Sequence, residues 1–140
     1  MASELSVIMK AKDLCQYVML ITERSPKKYR FTFTVRLQNL AMGVIEALYL
    51  ANETFVSGVH VASRKEQRLD YQHSALTQIK LLAYFAQLAL EQHAILPKQY
   101  HQIALQTTEC QRLIGGWIKS DRKRYESNKQ PKQTQGQLFD

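Results

Sequence analysis

What this chain can fold into is limited first by the run from Pro26 to Phe55, PKKYRFTFTVRLQNLAMGVIEALYLANETF. Val35, Leu37, Leu40, Ala41, Val44, Ile45, Leu48 and Ala51 recur at spacings of three and four. That is the period of a helix, not the alternation of a half-buried strand. Thirty residues of helix make a rod of roughly 45 Å. Its apolar residues wrap beyond one narrow stripe, so neighbours must cover the rod on most sides. The head of the run is basic, with Lys27, Lys28 and Arg30 together and Arg36 a turn and a half further on.

A chain of 140 residues is expected to form one domain whose core needs neither metal nor disulfide support. Five Gly and three Pro favour helices over a turn-rich sheet. Cys15 and Cys110 lie far apart in apolar surroundings and are expected as buried, reduced thiols, with a disulfide or reactive pair as the alternative. In the opening MASELSVIMKAKDL, the charges of Lys10, Lys12 and Asp13 interrupt any apolar core of signal-peptide length. No stretch approaches the roughly 18 continuous apolar residues of a membrane span. The expectation is a cytoplasmic protein without a membrane partner.

Turn residues divide the rest. Residues 1–9 are expected to be flexible, and 10–24 to form a short amphipathic helix with Leu14, Tyr17, Val18 and Ile21 on one face. Ser25-Pro26 ends it, with Ser25 placed to cap the long second helix. Ser57-Gly58 breaks that helix, and Ser63-Arg64-Lys65-Glu66 reads as the capping box of a third, over about 64–93. Leu69, Leu76, Ile79, Ala83, Ala86 and Leu90 form its main apolar row, and Leu81, Phe85 and Leu88 a second. The surplus row points either to a subunit interface or to a crowded core. Pro97 opens a fourth helix, 97–125, with Tyr100, Ile103, Ala104, Thr107, Cys110, Ile114, Trp117 and Ile118 inward. Trp117 is expected to pack against helices one and two. Gly115-Gly116 costs this helix about 1 kcal/mol per Gly relative to Ala, so the pair is expected to admit another helix at close range, with a flexible hinge as the alternative. Residues 126–140 are polar and unpatterned, an expected disordered tail.

The fold these elements predict is all-α: an up-down-up-down four-helix bundle over 10–125, with a short first helix and long second to fourth helices. That topology decides where the net charge of +7 falls. Five basic residues and no acid lie between Arg24 and Arg36, and six basic residues face two acids between Lys119 and Lys132. The first and third connections share one end, gathering Lys27, Lys28, Arg30 and Lys98 there, with Arg36 below them. The second connection and the close of helix four share the other end, gathering Arg64, Lys65 and Arg68 near Lys119, Arg122, Lys123 and Arg124. Charge concentrated in this way points to a polyanion partner; cationic helix ends that only assist solubility are the alternative.

Catalytic patterns are missing. No Glu precedes a His by three residues, as a di-metal bundle site requires, and there is no His-Glu-x-x-His, Cys-x-x-Cys, phosphate-cradling Gly-rich loop or Gly-x-Ser-x-Gly. His60, His73, His93 and His101 are scattered. The expectation is a protein that is not an enzyme and carries no cofactor or metal. Tyr29, Phe31 and Phe33, interleaved with Lys28 and Arg30, suit either of two roles: stacking on exposed bases, or forming the upper layer of the core.

Three segments together resemble a known superfamily: the short first helix, the Ser-Pro-Lys-Lys-Tyr-Arg-Phe turn, and the closing Leu-Ile-Gly-Gly-Trp-Ile-Lys-Ser-Asp-Arg-Lys-Arg. It is the four-helix-bundle superfamily of the accessory variability determinant (Avd) of diversity-generating retroelements, which also holds the proteins encoded in rRNA intervening sequences. The likeness covers about 10–125, and residues 113–124 point to the Avd branch. The resemblance implies a non-catalytic, basic homopentamer that binds the retroelement reverse transcriptase and helps copy template RNA into mutagenised cDNA. The positions matching that role are Lys27, Lys28 and Arg30 at the first turn, and Arg122, Lys123 and Arg124 after Trp117. The runner-up readings are a bundle of the rRNA intervening-sequence type, with no reverse-transcriptase partner, and a helical oligomeric scaffold.

Overall fold

In the computed structural model the described residues run from 4 to 139, with side chains described for 6–126. The fold is all-α, with four helices: α1 (Glu4–Thr22), α2 (Val35–Asn52), α3 (Val61–Glu91) and α4 (Pro97–Phe139). Each packs against its two neighbours in the ring α1–α2–α3–α4–α1, as an up-down-up-down bundle requires. Among the described residues, no helix is long and apolar enough to cross a membrane.

The buried rows explain the bundle. Val7, Ala11, Leu14, Val18 and Ile21 on α1 are spaced alternately four and three apart. Arg68, Gln72, Ala75, Ile79, Leu82, Ala86 and Ala89 on α3 follow the same rule, as do Ile103, Thr107, Cys110, Ile114, Trp117 and Asp121 on α4. A four-three repeat keeps one seam turned inward over many turns, the geometry of left-handed bundle packing.

Several boundaries differ from those the sequence predicts. α1 begins at Glu4, not near residue 10, because the buried row extends back to Val7. The long second helix is composite. A 3-10 turn (Lys27–Tyr29) leads into a π turn (Arg30–Thr34), in which Val35 N–H donates to the Arg30 carbonyl, and regular α2 begins only at Val35. Ser25 does not cap it; Pro26 stands at the N-cap position, with no side-chain bond. Ser63 does not cap α3 either, since the helix has already begun at Val61. α4 runs beyond the predicted 125, and the tail expected over 126–140 falls, after Glu126, outside the residues whose side chains are described.

The third connection is closed by backbone bonds and a side-chain cap. His93, at φ 64°, donates to the Leu90 carbonyl and Ala94 to the Ala89 carbonyl, a Schellman closure of α3. Gln99 Oε1 then accepts the Leu96 N–H at 2.9 Å, the reaching-back half of a capping box, with Pro97 at the first helical position.

The glycine expectation also moves. A Cβ on Gly115 or Gly116 would meet nothing within 4 Å, so no neighbouring helix approaches them closely. Close approach occurs at Gly43 instead, where an added Cβ would collide with the Gln78 side chain of α3. Gln78 Nε2 donates to the Gly43 carbonyl at 3.3 Å, so the missing side chain is what lets that amide reach the α2 backbone.

Candidate nucleic-acid interface

The predicted cations separate into two ends, as the topology requires. At the first end Tyr29 Oη donates to the Gln92 carbonyl at 2.6 Å, tying the first connection to the third. Lys27, Lys28 and Arg30 are exposed here, as is Lys98 in the first turn of α4. Lys28 Nζ lies 5.1 Å from the Tyr29 ring centroid, and the Arg36 guanidinium 5.0 Å from that of Phe85, weak holds that leave both charges facing water. None of these five cations has an ion pair among the described residues.

Helix geometry adds to their positive field. Lys27, Lys28 and Arg30 occupy the first turns of the helical run that becomes α2, Lys98 that of α4, and Arg64 that of α3. Neither α2, α3 nor α4 has an acid in its first turn. A helix N-terminus carries roughly half a positive charge, so these cations sit where the macrodipole opposes them.

At the second end, Arg64, Lys119, Arg122, Lys123 and Arg124 are exposed and Lys65 is half-buried. Lys65 and Arg122 line one shallow depression with Leu69, Ile118 and Tyr125. Arg68 does not belong to this surface. It is 6% exposed, with Nε 2.6 Å and Nη2 3.2 Å from the two oxygens of Asp121, itself 5% exposed. Arg68 Nη1 also donates to the carbonyls of Ala51 (3.4 Å) and Thr54 (3.3 Å) at the end of α2. Gln72 Nε2 donates to Asp121 at 2.9 Å, and the guanidinium lies 5.1 Å from the Trp117 ring centroid. Trp117 is buried as expected, but beside this α3 arginine. The charge of Arg68 is thus consumed inside the bundle, where it fastens α2, α3 and α4 together. Arg124 Nη1 reaches within 4.0 Å of the same carboxylate while staying exposed.

The predicted interface row is partly available. Leu81 and Leu88 are 37% and 36% exposed, with Tyr84 exposed between them. Phe85 is half-buried against the core, with the Arg36 guanidinium over its ring. Cys15 and Cys110 are buried free thiols; burial raises both, Cys110 to about 11. Among the described residues, no three His, Cys, Asp or Glu side chains gather as metal ligands would.

No family model matches the chain, and no curated protein matches it.

Proposed function

We propose that this chain is a non-catalytic, cofactor-free accessory protein of a diversity-generating retroelement. In this reading it works in the cytoplasm as a homo-oligomer, a pentamer by its resemblance to the Avd branch. It binds template RNA or other nucleic acid through its two basic ends and docks onto a reverse transcriptase to support mutagenic cDNA synthesis.

The observation that carries the nucleic-acid part is the set of exposed cations at helix N-termini with no acid beside them. Each such cation works against the macrodipole by about 0.3–1 kcal/mol, so folding stability does not account for it. A phosphate there meets both a side-chain charge and the positive end of a helix. With no base-reading motif, binding should show little sequence preference, and specificity would come from the polymerase. The exposed strip of Leu81, Tyr84 and Leu88 supports self-association.

The test is to co-express the chain with a diversity-generating retroelement reverse transcriptase and measure complex formation and template-dependent cDNA synthesis. The reading requires a stable complex and cDNA yield that depends on this chain. RNA binding without any polymerase complex would point instead to the rRNA intervening-sequence type of bundle, and no nucleic-acid binding at all would contradict both.

A further inference from the structure

The three aromatics at the first end have different fates. Tyr29 and Phe33, four residues apart, share one side of the helical turn and are half-buried against the core, with ring centroids 5.6 Å apart in an edge-to-face pair. Tyr29 is further fixed by its bond to the Gln92 carbonyl. Phe31 lies between them, two residues from each, and so faces away from their shared side. It is 84% exposed, and among the described residues its ring has no aromatic or cationic partner.

We infer that Phe31 is a stacking platform for an unpaired base of a single-stranded nucleic acid, whose flanking phosphates are neutralised by Lys27, Lys28 and Arg30. This inference rests on the nucleic-acid reading above and narrows it to single strands. The physical case is the pairing of two unlike features at one spot. An aromatic face accepts the face of any base, and a cationic collar accepts the backbone on either side of it. A duplex offers the backbone but not the face: its bases are hidden in the stack and only their edges line the grooves. A second copy of this chain is the less suitable occupant. Between Arg24 and Arg36 there are five cations and no acid, so a symmetric contact centred on Phe31 would set like charges against each other.

The experiment uses the full chain and fluorescein-labelled 20-mers: single-stranded, the same strand with abasic sites, and a duplex. Phe31→Ala should weaken single-strand binding roughly 5- to 100-fold, the range of one base–aromatic stack, whereas Phe31→Trp should retain it with quenched indole emission. The abasic strand should bind the unmodified protein no better than the intact strand binds Phe31→Ala, and the duplex should not register the change. Circular dichroism and light scattering confirm that the exposed substitution leaves fold and mass unaltered. If Phe31→Ala binds single strands normally while Lys27→Glu/Lys28→Glu/Arg30→Glu does not, the stacking role is overturned and the nucleic-acid reading stands. A change of oligomeric mass in Phe31→Ala, with affinity following mass, would assign the ring to a subunit contact and overturn it too. Failure of the unmodified protein to bind any strand overturns both readings.

Discussion

Replacing Asp121 by alanine removes the acceptor of three N–H groups at once: Nε and Nη2 of Arg68, and Nε2 of Gln72. The guanidinium that loses this carboxylate is 6% exposed, and the bonds it keeps include those to the neutral carbonyls of Ala51 and Thr54 at 3.3–3.4 Å. Breaking a buried pair in this way costs about 3–5 kcal/mol, because the guanidinium stays desolvated after losing its carboxylate. For a domain of this size, that is a fifth or more of a typical total stability of about 5–15 kcal/mol. Removing both charges is a different matter. Arg68→Met/Asp121→Leu fills a similar volume with apolar atoms and should lie within about 1–2 kcal/mol of the unmodified protein, or above it. Urea unfolding followed by far-UV circular dichroism measures both variants and the two single changes, closing a double-mutant cycle. The slope in urea should stay constant, and Trp117 emission should shift in Asp121→Ala, since its ring lies 5.1 Å from the guanidinium. A cost below about 1 kcal/mol for Asp121→Ala, the range of a surface pair, would rule out this buried role: Arg68 would then be able to swing into water and rejoin the basic surface.

Further outcomes follow from other sites. Gly115→Ala and Gly116→Ala should each raise stability by about 0.5–1 kcal/mol, since both glycines lie in a helix interior with open space around them, whereas Gly43→Ala should give no such gain because Gln78 must be displaced. Urea melts check all three. Burial, reinforced by Glu109 and Asp13 and opposed by Lys10, lifts the Cys110 thiol from 9.0 to about 11. The unfolded chain therefore ionises first, and the stability from a neutral Cys110 is full below pH 9.0 and lost as pH rises through about 11. Thiol labelling at pH 8 should thus be slow until urea unfolds the protein, and prompt labelling of Cys110 in the native state would contradict its burial. Leu81→Lys/Leu88→Lys should lower the mass seen by light scattering while leaving helicity intact, and an unmodified protein already at monomer mass would remove the assembly reading.

The bundle is legible in the sequence because apolar spacing reports helices directly, and short links leave few ways to pair them. What stays hidden has identifiable causes. Charged residues are read as surface by default, so spacing alone groups Arg68 with Arg64 and Lys65. Yet Arg68 and Gln72 continue the four-three row of Ala75, Ile79, Leu82, Ala86 and Ala89, and Asp121 continues that of Ile114 and Trp117. Opposite charges on two inward rows are the available signal. The glycine pair misleads for another reason: a helix-weakening Gly implies close approach only where a neighbour exists, and spacing alone does not reveal that α2 meets α3 at Gly43 rather than at Gly115. The Ser63–Glu66 capping pattern is present in sequence, but α3 starts three residues before the predicted 64, at Val61. At the candidate site, sequence counts the buried Arg68 among the surface cations, and only burial separates Phe31 from Tyr29 and Phe33.

If the exposed cations at the two bundle ends hold nucleic-acid phosphates, RNA binding must depend on them and on salt together. The measurement compares the unmodified chain with Lys27→Glu/Lys28→Glu/Arg30→Glu and Arg122→Glu/Lys123→Glu/Arg124→Glu in RNA binding across a salt titration. Each triple variant should bind more weakly without loss of helicity, and the slope of log K against log salt should shrink by about 0.7–0.9 for each phosphate no longer neutralised. Affinity and slope unchanged in both variants would contradict the nucleic-acid role and leave these charges to an acidic protein partner.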